Sequence, residues 1–416
     1  MIEKFCRYFA ALTLIILCFC IIPCFAATSD DYWSPWVTKT TTDSATINWR
    51  GEADGSGYID YATSSHYQKH HTFEKTIATV KNARYQHLQI TGLKSDTSYT
   101  YRVSPSGRKE PFDNRTFRTM PTSGPFTFIV ISDPQKGHHY DESKRFKYVA
   151  EAIEKEPDVL FILIGGDYNG FDGTKYWKEF FKVADGMLSK SAVFPVIGNH
   201  EYHDPIDSSH PPTHADHYHW AFDVPLNYFF DCSGVRFIVL NSPDPNNANG
   251  DDPHTSLALA QSQEQWLKEQ LDSDALLGIF TMHHHPIWDY GKTQMNFDLE
   301  PWELLYHTYG ISANFAGHTH NYQRYLINGI PYFVVGNAGG RFSDLDPCCC
   351  GLFPDGYKFG ETRRLGYLKV TVDPANNTAT AREYFVAECD KNDDKKKPTV
   401  YNKPILIDKT TFPLKS

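Results

Sequence analysis

A chain of 416 residues, 41% hydrophobic and 22% charged, is long enough for two or three domains with a substantial core. This composition excludes a disordered tail, a collagen-like repeat, a coiled coil and a polytopic membrane protein. Lys plus Arg at 40 against Asp plus Glu at 50 leaves a formal charge of −10, which opposes nucleic acid and anionic membranes, so an anionic substrate needs a local source of positive charge.

Residues 1–27 read as an export signal. Lys4 and Arg7 precede an uncharged apolar run from Tyr8 to Ala27, and Cys24-Phe25-Ala26 offers a small-x-small cleavage site. The run is also just long enough for an uncleaved anchor, but Pro23 and the small residues at its end favour cleavage. The expectation is a secreted, periplasmic or cell-surface protein with no membrane attachment after signal removal. Outside this segment stand Cys232, Cys348, Cys349, Cys350 and Cys389, an odd number, so at least one is unpaired within the monomer. Cys348 to Cys350 could pair with Cys232 or Cys389 in an oxidising compartment, and the connectivity stays open.

Residues 31–120 hold short segments rich in Thr, Tyr, Val and Ile, at 45–50, 58–61, 85–90, 98–103 and 116–119, broken by Gly, Asp and Ser. No helix-length periodic stretch interrupts them, which predicts a small antiparallel β-sandwich. Trp49 and the run Leu88 to Val103 resemble a fibronectin type III-like module, with Trp49 and Tyr99 as core packing.

A Pro/Gly/Ser/Thr-rich linker at 119–125 changes the texture. Apolar runs at 126–132, 159–164 and 193–197 now alternate with helical stretches at 143–155 and 176–190, as expected for an α/β domain over 125–387 with a largely central sheet. Further strands are expected at 330–335, 366–372 and 379–387. The Gly-rich loop 336–360, with its three cysteines, lies between them as a candidate pocket wall. The tail 388–416 opens with a mixed-charge run at 390–397, and 400–407 reads as an edge strand.

Five strands end alike. The first runs into Asp133, the second into Gly165-Gly166-Asp167 and the third into Gly198-Asn199-His200-Glu201. The strand at 276–282 runs into His283-His284-His285-Pro286, and that at 311–316 into Gly317-His318-Thr319-His320. In open α/β sheets the ligand crevice lies beyond the carboxyl ends of the strands, so these groups converge on one rim. Oxygen and nitrogen donors of this kind suit Mn, Fe, Co or Zn. Asp133, Asp167, Asn199, one of the three consecutive histidines, His318 and His320 make six donors, more than one ion needs, and an aspartate can bridge. Two ions about 3.5–4 Å apart clamp the attacking and leaving oxygens of an in-line displacement, and phosphoryl transfer is the reaction such a clamp serves best. Their charge also supplies the local attraction that the acidic chain lacks.

The ordered set Asp133, Gly166-Asp167, Gly198-Asn199-His200-Glu201, His284-His285-Pro286 and Gly317-His318-Thr319-His320 resembles the calcineurin-like metallophosphoesterase superfamily. With a fibronectin-like module ahead of it and Arg324 in a Gly-His-x-His-x-x-x-Arg frame, it is most similar to the purple acid phosphatases. The resemblance implies a four-layer α/β/β/α domain. It also implies two metal ions, expected to be divalent Fe, Mn, Zn or Mg, and a metal-bound hydroxide acting on a small phosphorylated substrate. Asp133, Asp167 and His320 would hold the first ion; Asp167 as bridge, Asn199, His284 and His318 the second. His200 would be the catalytic histidine. The family's His-x-Pro pattern selects His284, leaving His283 as packing, a second hydrogen-bonding layer or an alternative ligand, with alternation turning His283 and His285 away.

Two positions depart from the purple pattern. Gly170 stands where those enzymes place a metal-binding tyrosine in Gly-Asp-x-x-Tyr, so no purple absorption is expected, and Tyr168 is two residues too early to replace it. Gln135 stands two after Asp133, where wider relatives place a metal-binding histidine; it would ligate or orient from outside. His203 and Arg324 are candidates for substrate contact, and His138 and His139 could face the crevice. His210, His214, His217 and His219 read as a polar rim loop rather than a third metal site. The expected function is an acid phosphatase-like phosphomonoesterase. A phosphodiesterase or nucleotide pyrophosphohydrolase is the alternative within enzymes, and a non-catalytic surface binding protein the alternative outside them.

Overall fold

The computed structural model describes residues 32–135, 142–170, 174–203, 215–249, 252–273, 275–290, 295–345, 356–390 and 396–414. The signal segment, His138, His139, His210, His214 and Cys348 to Cys350 therefore lie outside the described residues.

Seven strands build the N-terminal sandwich. Trp33–Thr38, Ser44–Gly55 and Ala83–Thr91 form one antiparallel sheet; Lys75–Ala78, Gly57–Thr63, Ser98–Pro105 and Arg115–Arg118 form the other. Trp49 and Tyr99 are buried between them, as the pattern implied. The first strand escapes a sequence reading because Pro35 interrupts it, and its register shifts between Trp33 and Trp36. A helix at Ser64–His70, also unexpected, buries no residue and so shows no apolar periodicity; the Thr63 side chain caps it by accepting from His66 N. Trp33 and Trp36 pack on Phe181 of the helix Thr174–Leu188, with ring centroids 4.7 and 4.1 Å apart, which joins the sandwich to the α/β part.

Instead of one central sheet, the α/β part contains two. The first orders Ala192–Pro195, Val159–Ile164, Phe126–Ile131, Arg364–Asp373, Thr378–Glu388 and Thr399–Pro413, the leading three parallel and the rest antiparallel. The second orders Tyr228–Cys232, Val235–Val239, Gly278–Met282, Ala313–Ala316, Ile330–Val335, Tyr322–Ile327 and Tyr357–Glu361, with its four inner strands from Val235 to Val335 parallel. Apolar runs report burial on both faces, but not whether the second face meets a helix or another sheet. Here it meets a sheet. Phe128 of the first lies 5.1, 5.7 and 5.9 Å from Phe237, Phe280 and Phe315 of the second. Ile129 and Ile131 alternate outward against helices Glu142–Glu154 and Thr174–Leu188, while Leu257–Leu271 and Glu300–Tyr309 cover the far face of the second sheet. The result is the α/β/β/α order.

The last strand, Thr399–Pro413, is longer than expected and lies at the edge of the first sheet. Cys232 and Cys389 are both buried. Among the described residues no helix is long and apolar enough to cross a membrane.

Candidate metal centre

The loops after five strands converge as their sequence predicts. Two overlapping groups of donors result, Asp133 with Asp167 and His320, and Asp167 with His284 and His318. Within each group the ligand atoms all lie within 4.8 Å of one another. Asp167 belongs to both. Asn199 completes the second group, since its Oδ1 lies 2.8 Å from His284 Nε2 and 3.1 Å from His318 Nδ1.

The backbone is bent to make this possible. Asp133, Asp167 and His318 adopt φ of 59°, 58° and 65°, a conformation uncommon for residues with a side chain and concentrated at functional sites. Each bend is held by hydrogen bonds. Asp133 N donates to Gly166 O (3.1 Å) and His318 N to Asp133 Oδ2 (2.9 Å), while His200 N donates to Asp167 Oδ1 (3.1 Å). Two glycines are required by proximity. A Cβ on Gly198 would sit 2.1 Å from Asp167 Oδ1, and one on Gly317 would sit 2.0 Å from Ser132 Oγ.

Proton positions on the imidazoles test whether the donors suit cations. His284 Nδ1 lies 2.7 Å from the carbonyl oxygen of Gly165, an acceptor, so it carries a proton and points Nε2 at Asn199 Oδ1 and at Asp167 Oδ2, 3.3 Å away. His320 Nδ1 likewise donates to the carbonyl of Arg341 and points Nε2 at Asp133 Oδ1, 3.2 Å away, a buried oxygen with no hydrogen-bond donor. In both cases a lone pair faces an oxygen. A shared cation satisfies that arrangement, and the mixed carboxylate, amide and imidazole set suits a hard or borderline divalent ion.

In the metal-free chain protons take that role. Burial opposes a charged His284, but the Asp167 carboxylate outweighs it and raises the imidazole to about 9; His320 is raised against burial by Asp133. Asp167 is buried, which disfavours its charge, yet His284 and His200 hold it well below the usual carboxylate range. The pH dependence has two parts. A raised histidine contributes stability fully present below 6.5 and lost as pH climbs through about 9, so the metal-free chain weakens over that window. Metal uptake must displace the same protons, so apparent affinity for a divalent ion should rise from about pH 6 to 9, and isothermal titration in buffers of different ionisation enthalpy should register proton release. Uptake independent of pH would contradict this assignment.

Gln135 lies beside the first group. With its amide turned so that the nitrogen donates to Asp167 Oδ2 (2.9 Å) and Asp167 O (3.0 Å), its oxygen faces His320 Nε2. His200 opens the 3-10 turn His200–His203 with Nε2 3.8 Å from Asp167 Oδ2 and its side chain 16% exposed at the rim. His203 ends that turn; its side chain is outside the described residues. His217 and His219 lie on the helix Asp216–Phe222, His217 buried against Trp220.

Two expectations need correction, and one alternative falls away. Arg324 is not directed at substrate, because its guanidinium binds Asp408 of the last strand through Nε and Nη2 (2.6 and 3.0 Å) and ties the edge of one sheet to the other. His283 is no ligand. It is buried with its ring 5.2 Å from Trp302, Nε2 takes a hydrogen bond from Asn314 Nδ2 (2.8 Å), and burial lowers it to about 4. His285, expected to turn away, instead lies beside His318, with ring centroids 4.3 Å apart and ring planes tilted by 49°. Alternation fails there because the strand stops at Met282 and the chain bends, with His285 N donating to Ser242 Oγ (2.9 Å). Tyr168 stays out of the centre. Its hydroxyl donates to Ile164 O (3.0 Å) and its ring stacks on Trp177.

Two supporting carboxylates went unread in the sequence. Glu201, buried, accepts from Gly198 N (2.7 Å), Asp167 N (2.9 Å) and Tyr168 N (2.9 Å), pinning two ligand loops together. Burial, then the Asp167 charge, pushes it up to about 8, against the pull of the Asp167 and Gly198 N–H groups and the nearby His284. Asp289 accepts from Thr319 Oγ1 (2.6 Å) and Gln323 Nε2 (2.8 Å), which anchors the residue between His318 and His320. The only sequence signal for Glu201 was its place next to His200; for Asp289 there was none.

Residues 126–322 match the calcineurin-like phosphoesterase family. Purple acid phosphatase 15 of Arabidopsis thaliana is 23% identical over 300 residues, covering 61% of this chain and 53% of its own length. Tartrate-resistant acid phosphatase type 5 of Homo sapiens is 28% identical over 236 residues, 50% of this chain and 70% of its own. The solved structure of purple acid phosphatase PPD1 from yellow lupin (Lupinus luteus) seeds superposes with a TM-score of 0.67 at 15% identity, over 92% of this chain and 74% of that one, a likeness of fold. The chain spans little more than half the length of the Arabidopsis relative.

Proposed function

We propose that the chain, whose residues 126–322 match the calcineurin-like phosphoesterase family and whose fold resembles that of a purple acid phosphatase, is a dinuclear metal phosphohydrolase releasing inorganic phosphate from phosphomonoesters. The observation that carries the reading is the pair of donor groups sharing Asp167. Asp133, Asp167 and His320, with Gln135 beside them, would hold one divalent ion, and Asp167, Asn199, His284 and His318 the other. Bound there, the ions would supply Lewis acidity and an acidified water.

The chain's own contribution is placement and proton transfer. Glu201 and Asp289 hold the ligand loops in register, so the donors need little reorganisation when charge develops. His200, fixed through its backbone N–H to Asp167 and with its ring partly exposed at the rim, would protonate the leaving oxygen or hold the phosphoryl group. The apolar N-terminal run supports export, and a small phosphorylated molecule is the expected partner.

Phosphate release from a panel of monoesters, diesters and nucleotides by the metal-loaded chain tests the reading. Monoesters should be the better substrates; turnover confined to diesters overturns the choice. His200→Ala should lower kcat by about 10²- to 10⁴-fold with metal content unchanged, and full activity would remove its assigned role.

A further inference from the structure

A cavity of about 420 Å³ opens beside the second donor group. Its inner wall is His318, one of the proposed ligands, together with His285, which Ser242 Oγ holds in place through Nδ1 (3.1 Å). A phosphoryl group at the metal centre therefore has this space next to it. The volume lies in the range of pockets that enclose whole small molecules and greatly exceeds what a three-carbon polyol fills.

The outer lining has a definite chemistry. Asn296 and Asp298 present oxygen acceptors beside His254 and Thr255, while the oxygens of Asp289 already accept from Thr319 and Gln323. Such acceptors suit a leaving group bearing N–H or O–H donors. At the mouth stand Met295 and Phe297. Phe297 is 72% exposed, a large aromatic surface left in water. Its position is nonetheless built. Phe297 begins the 3-10 turn Phe297–Leu299, capped by Asn296 Oδ1 accepting from Asp298 N (3.3 Å), and that turn runs directly into the helix Glu300–Tyr309. An exposed ring on a capped turn, beside acceptor oxygens in the same lining, can serve as a stacking platform for a planar heterocycle.

We infer that this cavity receives the leaving group and selects nucleoside monophosphates over phosphates of small polyols. The inference rests on the phosphohydrolase reading for its catalytic consequence, though not for the binding itself. Rates with guanosine 5′-monophosphate and glycerol 2-phosphate, measured on the metal-loaded full chain, provide one test. The kcat/KM ratio should favour the nucleotide by about tenfold or more in the unsubstituted chain, and Phe297→Ala should lower that ratio about 3- to 10-fold. Asp298→Asn should lower it as well, by weakening the acceptor facing the base. A ratio near one, or one that Phe297→Ala leaves unchanged, overturns the inference.

Binding of guanosine alone, followed by saturation-transfer NMR, needs no turnover. The nucleoside should bind the unsubstituted chain and lose its signal in Phe297→Ala. If no substrate is hydrolysed yet guanosine binds in this way, the phosphohydrolase reading fails while the pocket assignment stands; no binding overturns the pocket.

Discussion

Asp167→Asn is expected to lower kcat/KM by about 10³-fold, roughly 4 kcal/mol of transition-state stabilisation, and to reduce metal content at both sites at once. The reason is geometric. Asp167 is the one residue common to the two donor groups, is almost fully buried, and is held ionised by His284 and His200. An amide keeps the shape and one oxygen acceptor but loses the charge that lets a carboxylate bridge two cations. Asn199→Ala and Asp133→Asn each touch a single group, so each should cost mainly one ion. Elemental analysis of the three variants checks the distinction. Loss of only one ion from Asp167→Asn would mean that the carboxylate serves one site alone.

Glu201→Ala is expected to destabilise the chain by about 3 kcal/mol or more, read as a shift of the denaturant midpoint. The carboxylate accepts three backbone N–H groups from the loops that carry Asp167 and Asn199, and Ala would leave all three buried and unpaired. Glu201→Gln retains one acceptor oxygen and should lose less. Because the clamp sets the distance between Asp167 and Asn199, metal affinity should fall in the same order, Ala below Gln below the unsubstituted chain. Equal stability in all three would show that the loops are held from elsewhere, for instance by His200 N on Asp167 Oδ1.

Legibility in the sequence depends on where the information lies. Ligands at strand ends could be read because a continuous apolar run followed by Gly-Asp, Gly-Asn-His or Gly-His-x-His announces both the strand and the polar rim beyond it. Six donors were expected there, and the structure brings Asp133, Asp167, Asn199, His284, His318 and His320 together. His285 was misjudged because alternation holds only while the strand lasts, and the chain bends just past Met282. Arg324 was misjudged for a different reason. Its partner Asp408 lies 84 residues away on an edge strand, and no local pattern marks such a pair.

The same limit applies to the fold. Strands buried on both faces were evident in runs such as Phe126 to Ile131, yet the pattern is identical whether the second face meets a helix or a sheet. Glu201 and Asp289 matter through hydrogen bonds to residues whose loops meet only after folding.

The most direct measurement is elemental analysis of the purified chain together with its visible spectrum. Two divalent ions per chain are expected, with no visible charge-transfer band, because Gly170 offers no phenolate and Tyr168 is committed to Ile164 O. One ion or fewer after loading with excess metal would contradict a centre bridged by Asp167, and an intense visible band would place a tyrosinate at the centre, where the described residues have none.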